Sequence, residues 1–307
     1  MIIQILIILV SILTLWYGAV LVVDSASHIA KKLGLSELVI GLTVVAIATS
    51  LPEFAVTVTS ALRGQYQISV GNIVGSDIFN LGIILGLVTF FSSVKISKKM
   101  LFRDGSMLVG TGLLLLLFFY DLKLEFYEGI ILFAVLIIYI VYIIKGKENV
   151  DDFIDEVAEG EFTWTDVPKL IIGVALIIYG ADYLVHGATV IARFYGVSEW
   201  MIGITIVGAG TSVPELATSV VAVAKGRHGI SVGNLIGSDL FNMLGVLGVA
   251  GIIHPLSITK GDYFSLILMI INLTILFYLM RRKWQLSKPE GAILILLALV
   301  RWAVVMY

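Results

Sequence analysis

The chain has 307 residues, of which 59% are hydrophobic and only 14% are charged, and its formal net charge at pH 7 is −2. Its mean hydropathy of +1.04 lies well above that of an ordinary soluble domain. The small net charge argues against a nucleic-acid partner, and the absence of cysteine excludes disulfides, thiolate metal sites and thiol catalysis. The composition therefore predicts a polytopic membrane protein surrounded by membrane lipids.

Apolar runs divide the chain into candidate membrane spans, for which about 17 to 25 residues are needed. Five lie in each half, so we predict an all-α membrane protein with ten transmembrane helices. In chain order the predicted spans are 2–23, 38–62, 68–91, 106–120, 127–144, 170–192, 200–224, 230–253, 263–280 and 291–305.

Lysine and arginine in the connections predict the orientation, because cytoplasmic connections carry an excess of them. Of the 20 such residues, 15 lie in connections on one side and 4 on the other. This predicts a multi-pass protein of the cell (plasma) membrane with both termini extracellular. The connection between the fifth and sixth spans is then cytoplasmic.

That connection divides the chain into a first half, 1–144, an acidic linker, 145–169, and a second half, 170–307. The linker carries eight acidic residues. They lack the alternating Asp positions and the central Gly of a calcium-binding loop. We interpret the segment as a solvated linker, with an acidic ion-sensing segment as the alternative.

An internal repeat joins the two halves: residues 18–80 align with 180–242 without a gap, at a constant offset of 162. Its densest part is SVGNIVGSDIFN against SVGNLIGSDLFN, with 9 of 12 positions identical. Because each half holds an odd number of predicted spans, the second copy must enter the membrane upside down. Inverted repeats are typical of secondary transporters.

The segment GLTVVAIATSLPEF, 41–54, and its repeat GITIVGAGTSVPEL, 203–216, interrupt predicted spans with proline and glutamate. An ionisable side chain at bilayer depth costs about 2.5 to 3.5 kcal/mol and indicates a functional site. Pro52 and Pro214 also deprive carbonyls in the preceding turn of helical partners. Such a break is tolerated only where it faces protein or a water-filled cavity.

These groups form an all-oxygen set suited to hard cations such as Ca²⁺. A structural kink is the alternative, but a kink explains the proline and not the adjacent Thr, Ser and Glu in both halves. The candidate ligands are the carboxylates of Glu53 and Glu215, the hydroxyls of Thr49, Ser50, Thr211 and Ser212, and backbone oxygens near Ala46 and Gly208.

A second element of each repeat supplies more oxygen atoms. Ser76 and Asn80 are four residues apart and share a helix face, as do Ser238 and Asn242. The predicted metal-binding set therefore includes all four residues.

The neighbouring acids, Asp77 and Asp239, lie about 100 degrees around the same helices. They can complete the cation site, line an access path or orient ligands from behind. The alternative is that they are structural acids held by hydrogen bonds. We include both among the candidate metal ligands.

These motifs resemble the alpha repeats of the calcium/cation antiporter superfamily, whose signature is a G-T-S-x-P-E helix followed by a G-S-x-x-x-N helix, in duplicate. This chain has ATSLPE at 48–53, GSDIFN at 75–80, GTSVPE at 210–215 and GSDLFN at 237–242. The resemblance covers essentially the whole chain, which looks like a sodium/calcium exchanger-like prokaryotic membrane protein of this superfamily. Two departures are Ala48, where glycine is usual, and Asn242, where some relatives have Asp.

The resemblance implies exchange of Ca²⁺ against Na⁺ or H⁺ by alternating access, with Glu53 and Glu215 as central ligands. We predict sodium-driven exchange, with spans one and six as the sliding element. It implies transported ions rather than a cofactor, no enzymatic activity and no protein partner. The alternatives are a proton-driven antiporter, a passive cation channel and a non-transporting membrane scaffold.

Overall fold

The computed structural model describes residues 2–146, 161–197, 206 and 208–306. Most of them lie in helices. The helices are α1 Ile2–Leu33, α2 Glu37–Thr49, α3 Leu51–Leu62, α4 Tyr66–Phe91, α5 Lys98–Asp121, α6 Phe126–Lys145, α7 Asp166–Phe194, α8 Gly208–Gly210, α9 Val213–Ala224, α10 His228–Ile253, α11 Lys260–Lys283 and α12 Lys288–Met306. Four short strands are β1 Val94–Lys95, β2 Lys123–Leu124, β3 Leu256–Ser257 and β4 Gln285–Leu286.

Membrane-spanning helices make up most of the described chain. Seven are long and apolar enough to cross a bilayer, and counting the bent pair α2 and α3 as one span gives eight. α9 is shorter, and most of the part of the predicted span 200–224 that precedes it, residues 200–205 and 207, lies outside the described residues. The all-helical membrane class is therefore confirmed. The number of ten spans and the three-part division remain predictions, and linker residues 147–160 also lie outside the described part.

Two helices extend beyond the predicted spans. α1 continues past residue 23 to Leu33, because Ser25, Ala26, Ser27 and Ala30 bury one face of this extension although its other face is polar. α5 begins at residue 98 rather than 106, where the Ser97 hydroxyl caps the helix by accepting the Met100 N–H. The predicted boundaries 2–23 and 106–120 are therefore too short, since helix caps and one buried face can carry a helix through polar residues.

The two halves of the sequence interlock instead of forming separate bodies. α1 packs along α7, α2 along α10, and α4 along α12, so each pair joins the first half to the second. The approach of α10 to α2 is close: a Cβ at Gly233 would lie 2.6 Å from the Leu38 carbonyl oxygen, and one at Gly237 would lie 2.6 Å from that of Leu42. This contact fixes α10 beside the helix that leads into the first break.

α1 and α7 form a distinct pair at the edge of the fold. Their contact is a backbone contact, because a Cβ added at Gly18 or at Gly173 would lie 2.8 Å from the carbonyl oxygen of the other. Side chains of the pair form an apolar cluster with residues of α2, α9 and α10, and this cluster is separate from the main core. In the most apolar 18-residue segment of each helix, only 28% of the residues are buried inside the protein.

Two short antiparallel strand pairs, called ladders here, each join one strand of the first half to one strand of the second. β1 pairs with β4, with Val94 opposite Leu286, and β2 pairs with β3, with Leu124 opposite Leu256. Adding 162 to β1 gives β3, and adding 162 to β2 gives β4. α5 therefore runs from the first ladder to the second, whereas its repeat counterpart α11 runs from the second to the first. These two counterpart helices are antiparallel.

Candidate cation-binding site

The first broken helix places Glu53 at a helix start. α2 ends at Thr49, α3 begins at Leu51, and their axes differ by 50°. Ser50 lies at the break with φ −84° and ψ 11°, and Pro52 lies in the first turn of α3. Proline is tolerated there because first-turn N–H groups have no helical partner. Glu53 thus lies in the first turn, where the helix dipole stabilises a carboxylate.

The second half repeats this local structure. Ser212 lies at the start of α9 with φ −89° and ψ 6°, and Pro214 and Glu215 follow in the first turn. The side chains of Glu53 and Glu215 are both 0% exposed. Because buried carboxylates need compensating partners, the groups around them define the site.

Each glutamate accepts a hydrogen bond from the opposite half. The Ser50 hydroxyl donates to Glu215 Oε1 at 3.0 Å, and the Ser212 hydroxyl donates to Glu53 Oε1 at 3.3 Å. The two bonds are repeat equivalents of one another. The two breaks therefore meet, as the sequence predicted, and each serine holds the carboxylate of the other repeat.

Serines of the second motif hold the same oxygens from within each half. Ser76 on α4 donates to Glu53 Oε1 at 3.5 Å, and Ser238 on α10 donates to Glu215 Oε1 at 3.3 Å. Both serines are buried. One oxygen of each carboxylate is therefore fixed by two serine hydroxyls.

The other oxygen of each carboxylate remains available. Glu53 Oε2 and Glu215 Oε2 are buried and accept no hydrogen bond from any described residue. Buried polar atoms nearly always have a partner, and one without it needs an explanation such as an ion. Two such carboxylate oxygens in one polar centre fit a bound cation with oxygen ligands.

Thr49 and Ala46 belong to the same centre. The Thr49 hydroxyl lies 3.3 Å from the Ala46 carbonyl oxygen and 3.0 Å from Asn234 Oδ1. The Ser238 hydroxyl lies 3.5 Å from the same carbonyl. The structure therefore brings the predicted hydroxyl and backbone oxygen of the first repeat against the second-repeat helix α10.

Their second-repeat counterparts are less completely surrounded by described residues. Thr211 is half-buried, and its Oγ1 has no hydrogen-bond partner among the described residues. Gly208 begins α8, the short helix that leads into the second break. Thr211 and Gly208 as ligands remain predictions.

Two asparagines that sequence reasoning missed support the site. The Asn72 amide donates to the Glu53 carbonyl oxygen at 3.3 Å and to Thr57 Oγ1 at 3.0 Å. Asn234, its repeat counterpart, accepts from Thr49 and donates to Ser219 Oγ at 3.2 Å. The signal was present in the sequence, because Asn72 precedes Ser76 by one helical turn, as Ser76 precedes Asn80.

The aspartates differ between the repeats. Asp239 Oδ1 accepts the Asn80 amide at 2.9 Å, which leaves the buried Asn80 Oδ1 without a partner among the described residues. Asp239 thus orients a predicted ligand. In the equivalent pair, Asn242 interacts with Asp77 more loosely, and the side-chain polar atoms of both residues have no hydrogen bond within 3.5 Å in the described part of the chain. Direct ligation by either aspartate remains a prediction.

The chemistry of this centre is that of a hard-cation site. Its donors are carboxylates, hydroxyls, amides and backbone carbonyls, which suit Ca²⁺ and other oxygen-binding cations. Over the described ranges there is no cluster of three or more His, Cys, Asp and Glu arranged for a metal ion. Two carboxylates with neutral oxygens can bind an ion without holding it as tightly as a ligand cage of many charges.

Known proteins are similar to this chain over almost its whole length. A family profile described as "Sodium/calcium exchanger protein" matches residues 3–145 and 168–307. The sodium/calcium exchanger MaX1 of Methanosarcina acetivorans is 32% identical, over 98% of this chain and 98% of its own length. The inner membrane protein YrbG of Escherichia coli is 32% identical, over 96% of this chain and 95% of its own.

A solved structure has the same fold. The sodium-calcium exchanger NCX_Mj, in crystals soaked without Na⁺ and Ca²⁺, matches with a TM-score of 0.86 and 28% identity, covering 99% of both chains. That protein is known for extracellular ion exchange and induced occlusion of its binding site. From the profile, the relatives and the fold together, the chain is a multi-pass membrane protein that belongs to the sodium/calcium exchanger family.

Proposed function

We propose that this protein is a secondary active antiporter that exchanges Ca²⁺ for Na⁺ across the cell membrane by alternating access. The main support for this proposal is the reciprocal pair of hydrogen bonds from Ser50 to Glu215 and from Ser212 to Glu53. It brings the two carboxylates into one buried centre and leaves one oxygen of each free for an ion.

Exchange follows because Ca²⁺ and Na⁺ compete for the same two carboxylates. One Ca²⁺ or several Na⁺ can neutralise Glu53 and Glu215, but both sets of ions need the same oxygens. Binding of one ion type therefore displaces the other. Transport also requires that the ions favour the inward and outward states differently, since a ligand with equal affinity for both shifts nothing.

The two ladders support the proposed inverted repeat. If both repeats crossed in the same direction, β1 and its counterpart β3 would lie on one side of the membrane and β2 and β4 on the other. β1 could then not pair with β4. With inversion, β1 and β4 share the proposed cytoplasmic side and β2 and β3 share the extracellular side, in line with termini outside.

α1 and α7 are the proposed moving element. They correspond to predicted spans one and six, contain none of the candidate ligands, and contact the breaks through α9 and the end of α2. Their separate apolar cluster and large lipid-facing surface allow them to slide while the helices that hold the glutamates stay in place.

The test is Ca²⁺ uptake into proteoliposomes that contain the full chain, driven separately by an outward Na⁺ gradient and an outward H⁺ gradient. We expect uptake with the Na⁺ gradient and its loss in Glu53→Gln and in Glu215→Gln. Glu125→Gln is the matched control, because Glu125 is 46% exposed and pairs with Lys123 near β2.

Other outcomes identify the alternatives. Uptake driven only by the H⁺ gradient would replace Na⁺ with H⁺ as the counter-ion. Ca²⁺ flux that needs neither gradient would identify a channel. Flux unchanged in both glutamine variants would remove the glutamates from the pathway and leave a scaffold or a different site.

A further inference from the structure

Arg301 on α12 is a buried cation that the proposed exchange does not use. Its side chain is 4% exposed, and within the described part of the chain it is the one basic residue among the buried ones. Its Nη2 donates to the Ser265 carbonyl oxygen at 2.7 Å, whereas Nε and Nη1 have no hydrogen-bond partner among described residues. A buried guanidinium at membrane depth is costly and indicates a specific partner.

Asp77 is that partner. Asp77 and Arg301 line the same small cavity, of about 20 Å³, between α4, α11 and α12. The carboxylate and the guanidinium attract each other electrostatically. A cavity of this size has room for about one bridging water. Arg301 is the basic residue that lines this cavity together with Asp77.

Asp77 belongs to a set of four buried carboxyl groups. Electrostatic interactions join Glu53 with Glu215, and Asp239 with both Glu215 and Asp77. All four side chains are at most 2% exposed. A buried carboxylate is neutralised by a proton, by a bound cation or by a fixed positive charge. For Asp77, Arg301 supplies the fixed positive charge.

The repeat makes this arrangement one-sided. The repeat counterpart of Arg301 is Tyr139, whose hydroxyl donates to Asp104 at 2.7 Å. The counterpart of Asp77 is Asp239, which accepts the Asn80 amide instead. Of these two equivalent aspartates, therefore, only Asp77 lies beside a guanidinium, that of Arg301, among the described residues.

We propose that Arg301 acts as a tethered cation that neutralises Asp77 and takes the place of one transported monovalent ion. The exchanger then carries one Na⁺ fewer per Ca²⁺ than it would if the Asp77 carboxylate were free to bind an ion. This inference rests on the proposed function. It makes Arg301 a determinant of stoichiometry, not a ligand of the transported ion.

The experiment compares the full-length wild type with Arg301→Gln, Arg301→Lys, Asp77→Asn and the double variant Asp77→Asn/Arg301→Gln in proteoliposomes. The readout is the Na⁺ gradient at which net Ca²⁺ flux vanishes at a fixed membrane potential, which gives the number of Na⁺ per Ca²⁺. We expect one additional Na⁺ in Arg301→Gln and the wild-type number in Arg301→Lys and in the double variant. Asp77→Asn alone should weaken apparent Na⁺ affinity by about tenfold or more, since it leaves the guanidinium unopposed.

A purely structural ion pair would change stability but not the coupling number. An unchanged number in Arg301→Gln therefore overturns the proposal. If Arg301→Gln gives no folded protein, Asp77→Asn and the double variant decide: recovery of Na⁺ affinity in the double variant supports the tethered cation, and no recovery overturns it.

A second readout separates this proposal from the proposed function. Thermal unfolding of the purified protein as a function of Na⁺ concentration reports how many ions bind the folded state. If the wild type shows no Na⁺-driven flux, the proposed function fails. A steeper Na⁺ dependence of stability in Arg301→Gln would still support the tethered cation, and an identical dependence would overturn it.

Discussion

In each glutamate at the breaks, the two carboxylate oxygens have different surroundings. Oε1 accepts one serine hydroxyl from its own half and one from the other half, whereas Oε2 accepts none from the described residues. The hydroxyls fix the orientation of Glu53 and Glu215 before any ion arrives. Preorganisation of this kind reduces the entropy that binding costs.

We expect Ser50→Ala to weaken apparent Ca²⁺ affinity by roughly tenfold to a hundredfold, because a hydrogen bond to a charged group contributes about 1.5 to 3 kcal/mol. Ser212→Ala should behave alike. The measurement is the Ca²⁺ dependence of initial Na⁺-driven uptake.

Ser11→Ala is the control, since Ser11 is a buried serine on α1 that lies outside the centre. If Ser50→Ala, Ser212→Ala and Ser11→Ala all retain wild-type affinity, the cross-half hydrogen bonds do not set the geometry of the ion site.

Among the elements, the broken helices determine where the carboxylates lie. The break at Ser50 turns the chain by 50° and starts a new helix two residues before Glu53. An uninterrupted helix would have neither the turn at Ser50 nor the free helix start beside the carboxylate. The close contact of Gly233 and Gly237 with α2 fixes the position of α2, the helix that ends at the break.

We expect Pro52→Ala to lower the rate of Na⁺-driven Ca²⁺ uptake by roughly tenfold or more, the contribution of one hydrogen bond to a charged group. Alanine restores an N–H that can donate to the Ala48 carbonyl oxygen, so the helix can continue and carry the Ser50 hydroxyl away from Glu215. Uptake rates and thermal midpoints are measured together.

Pro168→Ala is the matched control, because Pro168 lies in the first turn of α7, where no break follows. A wild-type rate in Pro52→Ala would show that the adjacent packing, not proline, maintains the turn.

Over the whole molecule, the two ladders connect one repeat to the other and support the proposed inverted repeat. α5 and its counterpart α11 join the same two ladders in opposite directions. A chain without cysteine allows this arrangement to be examined with single introduced thiols, since no native thiol has to be removed first.

We expect Lys95→Cys to react with a membrane-impermeant thiol reagent only from the cytoplasmic side and Ser257→Cys only from outside. These positions are exposed repeat counterparts in β1 and β3. The measurement is labelling of intact cells against opened cells. Labelling of both from one side would contradict the inverted repeat.

Local patterns in the sequence were sufficient to predict the helical membrane class and both breaks, because they depend on helix periodicity and on proline, which act within a few residues. The assignment of Glu53 and Glu215 to one set of ligands came from the internal repeat, which is not a local pattern. The ladders, the Asn80 bond to Asp239 and the approach of Arg301 to Asp77 join residues far apart in the chain. No local pattern determines such pairs. The long extension of α1 was missed because its buried face lies among polar residues.

The backbone contact between Gly18 and Gly173 has a mechanical consequence. At this point the two backbones touch directly, so in the proposed transport cycle α1 and α7 are expected to move together. Because only 28% of the residues in the most apolar segment of each helix are buried, most of the surface of the moving pair would face lipid. We therefore expect the turnover of the proposed antiporter to depend on the viscosity and thickness of the bilayer.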